Sequence, residues 1–181
     1  MNYMKNFKKG FTLIELLIVI ALLGALAVAL LAALDPLEQI KKGTDTGVRN
    51  TVAEISGGFT RYSSVKGGSL PFSTITWGSI GTAGTSAGYS AIQAVIDAGE
   101  LKQDFFSLAK DQLDKIFITA VNDTGTQKAY VCFQPGSKSF RVDANTKFST
   151  VVGDGTMTTY SDCNAGGTST SSGNACFWCV Q

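Results

Sequence analysis

Four cysteines, Cys132, Cys163, Cys176 and Cys179, are the most reactive side chains in this 181-residue chain, and all lie late in it. An even number of cysteines downstream of a membrane-targeting segment reads first as a disulfide framework, with three full pairings left open. Cys176-Phe177-Trp178-Cys179 is also a C-x-x-C motif. A thioredoxin-like redox centre would follow a strand and open a helix. Here the motif follows a stretch, 153–175, rich in Gly, Ser, Thr and Asn. A tetrathiolate zinc site using all four cysteines is a second alternative, disfavoured outside the cell. Stapling of the C-terminal loop is the expectation.

Other reactive patterns are weaker. Ser107 and Lys110 fit S-x-x-K, but no KTG follows, and Ser161-Asp162-Cys163 departs from SDN at its third residue. Asp143, Asp154 and Asp162 could supply oxygen ligands to calcium, yet their spacing is not that of an EF-hand loop. A solvated polar loop is the plainer reading. The expectation is therefore no cofactor, with structural calcium or zinc as lesser alternatives. The chain has no histidine. Neither a Ser-His-Asp or Cys-His arrangement nor a His-ligated zinc can be built, while lysine or carboxylate catalysis remains open. A net charge of +1 argues against a nucleic-acid partner.

The one carboxylate in an apolar setting is Glu15. Residues 11–34, FTLIELLIVIALLGALAVALLAAL, carry no other charge. That run is as long as a membrane-spanning helix requires, about 20 residues. A carboxylate at the centre of such a helix costs about 2.5–3.5 kcal/mol, less near the interface. Either Glu15 sits near the interface and reaches water or is protonated, or its partner comes from another molecule. Lys5, Lys8 and Lys9 precede the run, which keeps the leader cytoplasmic and places the rest outside. A conventional signal peptide has a shorter apolar region ending at a small-residue site. Alanines at 27, 29, 32 and 33 could imitate one.

Lys9-Gly10-Phe11-Thr12-Leu13-Ile14-Glu15, followed by the unbroken apolar run, resembles the processing site of type IV prepilins and type II secretion pseudopilins. The resemblance implies cleavage between Gly10 and Phe11 by a prepilin peptidase. It also implies N-methylation of Phe11, and pairing of Glu15 with the Phe11 ammonium of a neighbouring subunit. By that resemblance the chain is a structural subunit and no enzyme: a homo-oligomeric filament protein handled by pilus or type II secretion machinery. It would be held in the inner membrane with its head outside, then in a cell-surface or periplasmic filament. A pseudopilin of a secretion pseudopilus is the near alternative. A membrane-anchored thiol oxidoreductase using Cys176 and Cys179 is the distant one. Many major pilins carry a proline earlier in this helix, where this chain has Gly24 and then Pro36.

The elements that must position these residues follow from periodicity. The resemblance makes residues 1–10 a cleaved leader and 11–34 the membrane and filament-core helix, and the pattern makes 35–62 its amphipathic continuation and 63–181 the head. Leu37, Ile40, Thr44, Val48, Val52, Ile55, Phe59 and Tyr62 recur at three- and four-residue steps. Glu38, Lys41, Lys42, Asp45, Arg49 and Glu54 fill the opposite face. One long helix is therefore expected. In the head, 72–77 reads as a short strand. Residues 89–98 read as a helix capped by Ser90 and Gly99, with a second helix over 103–113. Segments 115–121, 128–134 and 138–144 read as strands joined by tight turns. The expected fold is α+β: a long N-terminal helix packed on a small antiparallel meander, the pilin-like shape that the resemblance also implies.

Overall fold

The computed structural model describes residues 10–72, 75–81, 84, 86–123, 126–150, 157–159 and 176–180. The chain divides between Leu37 and Glu38 into two units.

The first unit is built on α1, Leu13–Ala33, an apolar helix with no buried residue. At 21 residues it is about 30 Å long, the thickness of a bilayer's hydrocarbon core. It stops because Leu34 turns extended, at φ −98° and ψ 131°. Asp35 follows, and the residue before a proline is disfavoured in helical geometry. A second helix, α2, Pro36–Val65, starts on that proline, whose fixed φ suits a first helical position and whose missing N–H is no loss there. The expected single helix is thus two, interrupted at Leu34-Asp35.

In the second unit the buried positions of α2 are Asp45, Val48, Val52, Ile55, Gly58 and Phe59, a helical stripe. Leu37, Ile40 and Thr44 lie outside it and are exposed. Asp45, expected on the solvated face, is buried instead.

Helix α3, Ala87–Asp97, is capped by the Ser86 hydroxyl, which accepts from the Tyr89 N–H at 3.0 Å. Ser90 lies inside the helix and donates to the Ser86 carbonyl, so the cap falls four residues before the expected one. Gly99 does close it: at φ +82° it lets Glu100 N donate to Val95 O and Gly99 N to Ile96 O. Helix α4 spans Phe105–Leu113.

Among the described residues, six antiparallel strands follow the order β1-β2-β3-β6-β4-β5. They are β1 Ile75–Ser79, β2 Ile116–Asp123, β3 Thr126–Phe133, β4 Thr146–Thr150, β5 Met157–Thr159 and β6 Phe177–Val180. Of the expected meander, the strands at 115–121 and 128–134 pair as β2 and β3, while β1 reaches β2 only across α3 and α4. Beyond β3 the meander fails, because β6 inserts between β3 and β4. The expected strand at 138–144 is also absent. Lys138–Arg141 forms a short helix, α5, opened by Ser137, whose hydroxyl accepts from the Phe140 N–H. Thr146 closes the turn by donating to the Phe140 carbonyl at 2.5 Å.

Strand alternation sends side chains to two clusters. Ile116, Ile118, Val131, Phe133 and Trp178 join Val48, Val52, Ile55 and Phe59 of α2 and Ile92, Val95 and Ile96 of α3 in the main core. Their strand neighbours Phe117, Tyr130, Cys132, Phe177 and Cys179 gather with Trp77 and Phe148 in a second cluster on the opposite sheet face.

Candidate processing and assembly site

The segment expected to be processed lies immediately before α1. Gly10 is exposed, and a Cβ built there would meet nothing within 4 Å. Phe11 is 80% exposed. Both residues are therefore open to an outside enzyme. Helix α1 begins immediately beyond them, with Thr12 as its N-cap.

Glu15 sits one turn into that helix and closes a reciprocal cap with Thr12. Glu15 Oε2 accepts from Thr12 N at 2.9 Å and from Thr12 Oγ1 at 2.8 Å. Glu15 N donates back to Thr12 Oγ1 at 3.3 Å. This is the capping box, which satisfies N–H groups that a helix start leaves without partners. Both bonds to the carboxylate use Oε2, which leaves Oε1 for a further donor. The whole cap lies within residues 12–15, so cutting the Gly10–Phe11 bond leaves it intact. Sequence reasoning overlooked Thr12. The signal was present as T-x-x-E before an apolar run.

The cysteines form a separate site. Cys132 on β3 and Cys179 on β6 are direct partners in register and form a disulfide, with Cα atoms 4.1 Å apart. Cys176 is also disulfide-bonded, and Cys163 lies outside the described residues. Cys179 thus bonds across strands and not to Cys176, so the C-x-x-C motif does not close on itself as a dithiol redox centre would. A tetrathiolate zinc site would need these sulfurs as thiolates, which a disulfide does not offer. Of the three candidate calcium ligands, Asp154 and Asp162 lie outside the described residues. Asp143 Oδ1 accepts from Asn145 N at 2.9 Å and from Trp178 Nε1 at 3.2 Å. Ser107 donates to the Asp104 carbonyl at 2.7 Å, a bond at the start of its own helix.

A buried polar clamp joins the base of α2 to the turn before α5. Asp45 accepts from Gly136 N at 3.1 Å, from Ser137 N at 2.8 Å and from Ser137 Oγ at 2.7 Å. One turn along α2, the Arg49 guanidinium lies 5.1 Å from the Trp178 ring centroid and 5.9 Å from that of Phe140. These groups hold α5 and β6 against α2.

No curated protein and no solved structure shows significant similarity to the chain. Residues 5–31 match the family described as the prokaryotic N-terminal methylation motif. That match spans the basic leader, Gly10, Phe11, the Thr12–Glu15 cap and most of α1, and through it the chain carries the prepilin motif of type IV pilins and pseudopilins.

Proposed function

We propose that the chain is the precursor of a structural subunit of a type IV pilus-like filament, processed after Gly10 and methylated on Phe11. The observation that carries this reading is the methylation motif at residues 5–31 on a helix whose apolar surface is exposed along its whole length. An apolar helix of 21 residues needs a bilayer or a bundle of like helices to cover it. A motif read by one membrane peptidase, on a helix that fits both environments, is what a subunit moving from membrane to filament requires. The second unit supplies the outward head. The chain's role in the filament is then packing, and its only chemistry is as a peptidase substrate.

Mass spectrometry of the mature N-terminus tests the reading. Methylated Phe11 is expected. Changing Gly10 to a bulky residue should leave the precursor in the membrane. A mature protein beginning beyond Ala27 would support ordinary signal cleavage and overturn the proposal.

A further inference from the structure

At the start of α2, one flank of the helix is left unused by the rest of its unit. Leu37 and Ile40 are 68% and 66% exposed. Gly43 and Gly47 follow at three- and four-residue steps, so they continue that flank along the helix. Thr44 lies among them, and its hydroxyl donates to the Ile40 carbonyl at 3.1 Å, so it adds no unmet polar group.

The two glycines have no packing reason within their own unit. Glycine inside a helix is less stable there than alanine, because its backbone loses more freedom on folding. Gly58 and Gly88 do have such a reason: a Cβ would lie 3.0 Å from Leu101 Cγ at the first and 2.6 Å from Ile118 Cγ2 at the second. A Cβ on Gly43 would meet nothing within 4 Å, and one on Gly47 only Gln112 Nε2 at 3.8 Å, an ordinary contact. Neither glycine has a positive φ. Alanine would fit at both positions and strengthen α2. Glycines beside two exposed aliphatic side chains suit the close approach of a second helix.

Charge narrows the choice of that helix. Asp35, Glu38 and Asp45 balance Lys41, Lys42 and Arg49, so the stretch has no net charge to draw an ionic partner. A neutral, apolar helix is the complement. Helix α1 is one: 21 residues, none of them buried, with Glu15 in its first turn as its single charge. Ala21, Ala25, Ala29 and Ala33 recur every four residues along it, a flank shallow enough to lie against glycines. Outside a bilayer such a helix needs apolar cover.

We propose that Leu37, Ile40, Gly43 and Gly47 form the seat for the α1 helix of a second copy of this chain, filled when a subunit joins the filament. The proposal rests on the filament reading and adds to it the place where a neighbour's helix is received. Melting of the processed full-length protein in detergent, and sheared filament per processed subunit, test it together. Gly43→Ala and Gly47→Ala should each raise the melting temperature by about 2–4 °C, because alanine favours the helix. Each should also lower filament yield about fivefold, because the added methyl group holds the incoming helix away. Ala53→Gly, at an exposed position of α2 away from this flank, should lower the melting temperature and leave the yield unchanged. Unchanged yield in both alanine variants overturns the proposal. So does a fall in melting temperature together with yield, which would make the glycines structural. A photo-cross-linking residue in place of Ile40 identifies the occupant. A dimer joined to residues 13–33 of a second copy is expected, and a cross-link to any other surface or protein overturns the proposal. Wild-type chain that is processed yet builds no filament would sink the filament reading and this proposal together, whereas wild-type filaments cross-linked elsewhere would sink this proposal alone.

Discussion

Ser137 and Asp45, 92 residues apart in sequence, meet in a buried hydrogen bond of 2.7 Å between Ser137 Oγ and Asp45 Oδ2. The same carboxylate takes the N–H groups of Gly136 and Ser137. Asp45→Ala would leave those donors buried without an acceptor, at a cost of about 1–3 kcal/mol for an unsatisfied group. Asp45→Asn keeps one acceptor oxygen but turns an NH2 toward N–H donors, so its loss should be smaller than that of alanine and still measurable. Thermal denaturation of the two variants checks the order. Equal melting temperatures for wild type and Asp45→Ala would show that the clamp does not stabilise the head.

The Cys132–Cys179 bond closes a separation of 47 residues. By loop-closure entropy a bridge of that span stabilises by about 4 kcal/mol, less any strain. Replacing both cysteines with alanine should lower the denaturation midpoint accordingly and free β6 first. Peptide mapping under non-reducing conditions should recover a Cys132–Cys179 pair, with Cys163 and Cys176 in the second bridge. Recovery of a Cys176–Cys179 bridge would contradict the sheet register and revive the redox reading.

Gly88 in α3 is held to its size by β2. A Cβ there would lie 2.6 Å from Ile118 Cγ2, a side chain that is 1% exposed. Gly88→Ala should therefore destabilise by about 1–3 kcal/mol through overpacking, despite alanine's better helix propensity. Ile118→Ala in the same background should recover part of that loss, and a double-mutant cycle in denaturant reads the coupling. Additive effects would mean that the helix shifts to accept the methyl group.

Glu15 caps α1 with Thr12, and the proposed function gives it a second role in assembly, which two substitutions separate. Glu15→Gln keeps a capping side chain for Thr12 but removes the charge. Thr12→Ala removes the cap hydroxyl and keeps the charge. If Glu15 neutralises the Phe11 ammonium of a neighbour, Glu15→Gln should abolish filaments while insertion and processing persist. A buried ion that loses its partner costs about 3–5 kcal/mol. Thr12→Ala should cost only a cap, about 1 kcal/mol. Sheared-filament yields set against processed subunit give the comparison. Wild-type filament yield from Glu15→Gln would refute the intersubunit pairing.

The elements that sequence predicts well here are those with local causes. Ile92, Val95 and Ile96 mark the buried face of α3, and all three are buried in the core. Asp35-Pro36 carried the break between the helices, though the apolar run hid it. The misreadings have distant causes. Lys138-Ser-Phe-Arg-Val alternates like a strand, yet Ser137, held by Asp45, starts a helix there. Asp45 looked solvated because its partners lie far along the chain. Phe177-Trp178-Cys179-Val180 is short and follows a polar run, so its place inside the sheet depends on β3 and β4. In the candidate site, the motif around Gly10, Phe11 and Glu15 was legible through its resemblance to prepilins, and the family match over residues 5–31 covers it. The cap from Thr12 has an equally local cause, the T-x-x-E spacing at the head of an apolar run.

The insertion of β6 between β3 and β4 orders events in time. Strands β1 to β3 can pair as soon as they emerge, because each meets its predecessor. Strands β4 and β5 can pair only with one another until β6 has been made. At about 5–20 residues per second, synthesis from Thr150 to Val180 takes about 2–6 s, during which β3 presents an open edge. An unpaired edge is a template for another chain. Each nascent chain thus passes through an interval in which the β6 of a second copy could fill the gap, and closure of Cys132 with its own Cys179 ends that interval.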